Sequence, residues 1–305
     1  MWSDVNLKPL AESKRFKIYR SLNTRMELLP DDRWNYQKLK SGFEGEMFFQ
    51  SLTDKLQCDC YVLHDLLFEL NGTTFQIDSL IIFQDIISLN EVKNFTGDFF
   101  YEDGKFYDSN KKERKDPLAQ LDRCESMFRQ LLEKLGFKFI VVGKVVHVNP
   151  EFTLYQAPRE VPIIFPTQLN TYMQKLEAAP AALNNKHRKF VEKLLSLHQE
   201  ENPYSKLPPY AYCQCRKGLT CAKCLSFEVS VVGQRCVCVD CGHEEKVESA
   251  VLRHVEELRL LFPDFKITTN LVFEWCGGGV DKKRVRRILE KKYKRVGVHQ
   301  WTYYE

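Results

Sequence analysis

The sequence has no run of apolar residues long enough to cross a membrane. Its longest, such as FIVV within FKFIVVGKVVHV, fall far short of the roughly 20 residues that a spanning helix needs. A secretory leader is missing too, because MWSDVNLKPLAESKR is broken by charges and has no apolar stretch followed by a small-residue cleavage site. The expectation is a soluble, cytoplasmic protein with no membrane partner. There is no internal repeat and no low-complexity tract. Net charge is small, +4 over 305 residues, so any affinity for a polyanion has to come from a local cluster of cations. A hydrophobic content of 44% rules out global disorder, and the length makes more than one domain the default expectation.

Cysteine, by contrast, is plentiful. In a reducing compartment eleven cysteines point to metal ligation rather than to a disulfide framework, and seven of them lie between Cys213 and Cys241. Cys221, Cys224, Cys238 and Cys241 form the pattern C-x2-C-x13-C-x2-C. Two thiolates two residues apart can take two vertices of a tetrahedron around zinc, and two such pairs close a structural Zn²⁺ site. Between the pairs LSFEVSVVGQRCV alternates and turns at Gly233, so the unit reads as a zinc ribbon. Cys213, Cys215 and Cys236 could supply a second site or exchange with the four, and His243 is close enough to compete. Cys58, Cys60, Cys124 and Cys276 read as packing residues or free thiols.

Periodicity organises the first half of the chain. GFEGEMFFQSLTDKL (42–56) is apolar at helical spacing, and strands follow at about 61–70, 73–83 and 86–93, with Asn71-Gly72 as a hairpin turn. DFFYEDGKFYD turns at Asp103-Gly104. PLAQLDRCESMFRQLLEKLG has Pro117 at a first helical position and Gly136 as a stop, and FKFIVVGKVVHV reads as a final strand. The order helix, three strands, helix, strand is that of an α/β sandwich. Residues 157–210 are mixed, with a helix near 184–199 and a polar linker, QEENPYSKLPPY.

Two acids sit in strands where an apolar residue is the usual choice. If 73–83 and 86–93 pair around Gln84-Asp85, facing positions sum to 169, which sets Asp78 opposite Glu91. Like charges facing each other across a ladder destabilise it unless a cation or proton lies between them. Oxygen ligands of this kind suit Mg²⁺ or Mn²⁺ acting on phosphates. The strand period of two puts Lys93 on the same face as Glu91, with Val92 turned into the core. An exposed Glu-Lys ion pair on an edge strand is the plainer reading.

GFEGE (42–46), FQIDSLII, EVKNFTGDF and DPLAQLDR (116–123), in this order, resemble the nuclease-related domain known as NERD, whose core is similar to the PD-(D/E)xK endonuclease fold. The resemblance spans about residues 41–147. It implies a metal-dependent nuclease with Asp78, Glu91 and Lys93 as the catalytic set, Glu46 as an accessory acid on the first helix and Gln120 lining the site from the second. The proline usual before the first acid is replaced by Ile77.

After the ribbon, EEKVESAVLRHVEELRLLF is an amphipathic helix, and DKKRVRRILEKKYKR (281–295) holds nine Lys or Arg against two acids. Val285, Ile288, Leu289 and Tyr293 form its core-facing stripe. A helix, a short element capped by Thr268 or Thr269, a glycine turn and a basic helix suggest a helix-turn-helix-like unit. Lys282, Lys283, Arg284, Arg286, Arg287, Lys291 and Lys292 are its candidate contacts to nucleic acid. The expected organisation is an extension (1–40), a nuclease-like domain (41–150), a mixed segment and linker (151–210), the ribbon (211–245) and a helical basic module (246–305). The expected function is phosphodiester hydrolysis, in DNA by preference. The alternative is a nuclease fold that binds nucleic acid or a protein partner without cutting.

Overall fold

The computed structural model describes residues 5–180, 182–201, 206–298 and 301–305 of a mixed α/β protein. The chain folds as two compact units, one made of residues 1–13 and 37–205, the other of residues 14–36 and 206–305. The N-terminal 40 residues are therefore divided between them. They carry β1 (Asn6–Lys8), α1 (Lys14–Arg25) and the start of α2 (Pro30–Thr53). The spacing placed the start of α2 twelve residues later, because PDDRWNYQKLKS has no apolar stripe. Pro30 at the first helical position and Asp31 and Asp32 in the first turn start the helix instead.

The first unit is built on a six-stranded sheet of order β1-β2-β3-β4-β8-β10, from β2 (Tyr61–Leu70), β3 (Thr73–Ile82), β4 (Ile86–Lys93), β8 (Ile140–His147) and β10 (Ile163–Ile164). Asn71 and Gly72 both have positive φ (52° and 74°), as the hairpin turn requires. Between β4 and α3 (Pro117–Leu135) the chain inserts β5 (Gly97–Glu102), β6 (Lys105–Asp108) and β7 (Glu113–Arg114). These join β9 (Phe152–Tyr155) in a second sheet of order β7-β6-β5-β9.

The main sheet is covered on both faces. Leu121, Phe128, Leu131 and Leu132 of α3 and Phe190, Val191 and Leu194 of α5 (Asn185–Leu197) pack on Leu63, Phe75, Ile77, Leu80, Ile87 and Leu89. On the other face Phe49 of α2 and Leu169, Tyr172 and Leu176 of α4 (Leu169–Glu177) pack on Val62, Ile81, Val92 and Val146.

One irregularity in this sheet bears on function. Phe75 and Ile77 lie on the same face as Leu80 and Ile82, so the side-chain alternation of β3 reverses at 78–79. In β2 it reverses between Leu63 and Leu66, and the pairing skips Asp65, which has φ of +50°. The sheet is thus irregular on the β2 side of Asp78, where the β2-β3 pairing skips both Asp65 and Asp78.

The second unit contains α1, a three-stranded sheet of β11 (Val229–Val232), β12 (Arg235–Cys238) and β13 (Glu244–Lys246), and a helical group of α6 (Val247–Leu261), α7 (Thr269–Trp275) and α8 (Lys282–Lys292). Thr268 caps α7 by accepting from Leu271 N–H, and Asp281 caps α8. Val285, Ile288 and Leu289 are buried as the stripe predicts, whereas Tyr293 lies past the end of α8 and donates to Glu256. The chain closes with the hairpin β14 (Arg295–Val296) and β15 (Tyr303–Tyr304).

Candidate active site and metal centre

The ladder between β3 and β4 has the register that the turn implies: Ser79 faces Asn90, Leu80 faces Leu89, Ile81 faces Ser88 and Ile82 faces Ile87. It stops one pair short of Asp78 and Glu91, which that register sets opposite each other with no backbone bridge between them. Asp78 instead turns its carboxylate across the gap and Oδ2 accepts from Val92 N–H at 2.8 Å. A side-chain acceptor takes the donor that a regular ladder would have given to a backbone carbonyl. Asp78 and Glu91 are both buried.

Glu91 and Lys93 share the face covered by α3, with Val92 turned the other way. The Lys93 ammonium donates to Glu91 Oε1 at 2.5 Å and to Gln120 Oε1 at 3.3 Å, and Gln120 Nε2 donates back to Glu91 Oε1. Gln120 is positioned by the first turns of α3, whose N-cap Asp116 accepts from Leu118 N–H and from the Tyr101 hydroxyl. Arg123, one turn further on, is exposed on α3.

Glu46 reaches the site from α2. A Cβ on the preceding residue, Gly45, would come within 2.5 Å of Asn94 Cβ, so only glycine allows the helix to approach the end of β4 this closely. The electrostatics then follow from crowding three acids around one cation. Burial first, and repulsion from Asp78 second, raise the Glu46 carboxyl well above its usual range. Burial and then Glu91 do the same to Asp78. Burial alone would lower the Lys93 ammonium, but Glu91 and Asp78 outweigh it and hold it above its ordinary value.

Glu91 Oε2 is buried with no hydrogen-bond partner, an expensive state for a carboxylate oxygen. An unpartnered oxygen beside two further acids is a donor set that fits a hard divalent cation. The ligand atoms are not gathered: among the described residues the four cysteines form the one group of three or more His, Cys, Asp or Glu with ligand atoms all within 4.8 Å.

The sequence reading missed two neighbours of this site. Asp65, one of two acids inside YVLHDLLFEL, adds negative charge near Glu46 and Asp78, and Lys8 Nζ donates to the carbonyls of His64 and Asp65 at 2.7 Å each. His147 pairs with Lys93 across the parallel β4-β8 ladder. Burial, and then Lys93, push its pKa down to about 3; the ring lies flat on Phe152, with centroids 3.7 Å apart, and its Nδ1 is unpartnered.

In the second unit Cys221, Cys224, Cys238 and Cys241 come together. The Sγ atoms of Cys221 and Cys241, and of Cys224 and Cys238, are 3.6 Å apart. A tetrahedron of thiolates at the Zn–S distance has an edge of about 3.8 Å, so the quartet fits zinc. Lys223 N–H points at Cys221 Sγ (3.3 Å), and although burial opposes it, such N–H donors bring that thiol down to about 7. Among the described residues Cys213, Cys215, Cys236 and His243 belong to no metal cluster, which leaves no second site of this kind. The folded chain is expected to carry one zinc, lost in Cys224→Ser; native mass spectrometry measures the stoichiometry, and two zincs would contradict the assignment.

The seven cations of α8 separate into two groups. Arg284 donates to Gly233 O and Gln234 Oε1, Arg286 pairs with Glu290, and Lys291 pairs with Glu248. Lys282, Lys283, Arg287 and Lys292 are exposed and make no ion pair among the described residues. No helix among the described residues is long and apolar enough to cross a membrane.

Residues 41–148 match the model of a family described as a nuclease-related domain, NERD. No curated protein and no solved structure matched the chain.

Proposed function

We propose that the chain is a metal-dependent nuclease that hydrolyses phosphodiester bonds in DNA, with the zinc-binding and basic second unit holding the substrate. The observation that carries this reading is the grouping of Asp78, Glu91, Lys93, Gln120 and Glu46, from two strands and two helices, around Glu91, whose Oε1 is held by Lys93 and Gln120 and whose Oε2 is buried without a partner, inside the matched residues. The five come from separate parts of the sequence and make one PD-(D/E)xK-like site. Asp78 and Glu91 would hold Mg²⁺ or Mn²⁺, which supplies Lewis-acid stabilisation of the phosphate and a more acidic bound water.

The protein's own groups do the rest. Asp78 is fixed by Val92 N–H, so its free oxygen keeps one direction. Gln120 and Glu91 hold the Lys93 ammonium in place, so that its charge is already set for the oxyanion that develops on phosphorus. Glu46 completes a negative site whose two raised carboxyls are relieved when a dication arrives. Glu91→Gln keeps the shape and removes the charge. It is expected to weaken Mn²⁺ binding, read by calorimetry, and to cut DNA at least about a hundredfold more slowly. Wild-type binding and rate in the variant would remove Glu91 from the metal site.

One observation favours a second reading, a nuclease fold that binds nucleic acid without cutting it. Glu46, Asp78 and Glu91 do not all bring a ligand oxygen within 4.8 Å of one another, and Glu91 Oε1 is already taken by Lys93 and Gln120. Cleavage by the purified wild-type chain decides between the two.

A further inference from the structure

The end of the second unit has a topology that the sequence pattern does not give. After α6, Ile267 forms a one-residue bridge with Tyr304; α7 and α8 follow, and β14 and β15 close the order by pairing Arg295 with Tyr304 and Val296 with Tyr303. A helix, a minimal strand, two helices joined by a glycine turn, and a hairpin whose last strand pairs with the first make the winged form of a helix-turn-helix unit. In such units the second helix of the pair is the one presented to the groove.

The surroundings of α8 agree with that role. Val285, Ile288 and Leu289 face the core, and at 100° per residue Lys283 and Arg287 lie on the opposite line of the helix. Each flank is anchored. On one side Arg284 holds the turn of the zinc-binding hairpin through Gly233 O (2.7 Å) and Gln234 Oε1 (2.5 Å), and Lys291 holds Glu248 of α6. On the other, Arg286 and Arg295 share Glu290, and Arg295 reaches Thr302 in the final hairpin. The flanking cations are spent on fixing the helix, while the outermost ones are left without an acid. At the hairpin's far end Val298 and Trp301 are 67% and 75% exposed, large apolar groups of the kind that pack into a minor groove or against sugars.

We infer that α8 docks in the major groove of double-stranded DNA through Lys283 and Arg287, with the zinc-binding hairpin and the Trp301 hairpin gripping the duplex on either side. The B-form major groove, about 12 Å wide, admits a helix, whereas the deep and narrow major groove of an RNA duplex does not. The free cations are matched by phosphates, not by a neutral surface, which selects a polyanion as the occupant. This inference rests on reading the chain as one that acts on nucleic acid.

The test is fluorescence anisotropy of the full-length, zinc-loaded chain carrying Lys93→Ala, without added divalent metal. The probes are a 20-base-pair DNA duplex, one of its strands and the matching RNA duplex, each over a salt series. Duplex DNA is expected to bind tightest. Lys283→Ala/Arg287→Ala should raise its Kd at least about tenfold and lower the slope of log K against log salt by about two. Retained zinc and an unchanged thermal transition establish that the double variant is folded. An unchanged Kd and slope, or tighter binding of single-stranded DNA or duplex RNA, would overturn the proposal. Absence of cleavage by the wild type would sink the nuclease reading and leave this one standing, since no step of the binding measurement depends on catalysis.

Discussion

Lys93→Ala is expected to slow DNA cleavage by about a thousandfold or more, with DNA affinity in the absence of divalent metal changed less than about threefold. The ammonium is the one cation among Glu46, Asp78 and Glu91, and Glu91 and Gln120 hold it in a fixed direction. Removing it forfeits stabilisation of the charge that develops on phosphate, worth about 4 kcal/mol where a preorganised donor is lost from a water-poor site. It also leaves Glu91, 1% exposed, with only the Gln120 amide as partner. Some loss of stability accompanies the change, so rates are to be compared where circular dichroism shows both proteins folded. Lys93→Arg separates charge from geometry: a fork-shaped guanidinium cannot reproduce the point contact to Glu91, and most of the rate should still be missing. A rate within tenfold of wild type in Lys93→Ala would remove Lys93 from the chemistry.

Arg25→Met is expected to destabilise the second unit by about 3–5 kcal/mol. The Arg25 side chain is 0% exposed and is met on every side within its own unit. It makes a two-pronged pair with Glu257 (Nε to Oε1, 2.9 Å; Nη2 to Oε2, 2.7 Å), donates to Arg216 O at 2.8 Å and lies over the Trp275 ring at 4.1 Å. Methionine keeps the volume but leaves Glu257 with Trp275 Nε1–H as its remaining partner in this cluster. The pH dependence carries the sign. Burial by itself would raise Glu257, and Arg25 reverses that, so the native pKa lies below the ordinary carboxylate value. The pair's contribution is thus full above the unfolded pKa and is lost as pH falls through the lower native one. In Arg25→Met burial is opposed only by weaker partners such as Trp275 Nε1–H, so the Glu257 carboxyl should move upward, and acid should narrow the gap between variant and wild type. Urea unfolding at pH 7 and at about pH 4, below the ordinary carboxylate value, measures both effects, and Arg25→Met/Glu257→Leu should recover most of the loss. A single variant as stable as wild type at pH 7 would contradict the account.

The parts of the molecule set by local chemistry were legible in the sequence. Asn71-Gly72 and Asp103-Gly104 marked turns, Pro117 and Gly136 bracketed α3, and the C-x2-C pairs found each other in space. The β3-β4 register was legible because Phe83 and Ile86 close the turn, Phe83 N–H donating to Ile86 O. The end of that ladder was not, since it depends on Asp78 competing for Val92 N–H, a choice between side chain and backbone that no pattern encodes. Asp65 reads as an ordinary strand residue because its positive φ has no local signal such as a glycine, and its partners, Lys8 at the carbonyl and Gln76 at the carboxylate, are brought to it by the tertiary fold. The grouping of α1 with the C-terminal half rests on Arg25 and Glu257, 232 residues apart. The basic run read as seven equivalent contacts, whereas three of its members are engaged within the protein, which only tertiary neighbours decide. Part of the expected linker, residues 202–205, lies outside the described residues.

The most direct test of the active site is cleavage of single- and double-stranded DNA and RNA by wild type and Asp78→Ala, each at equal purity, with Mg²⁺ or Mn²⁺ and without. The account predicts metal-dependent cleavage of DNA by wild type and none above background by the variant. Cleavage that persists in Asp78→Ala, or DNA bound by both proteins and left intact by both, would contradict it.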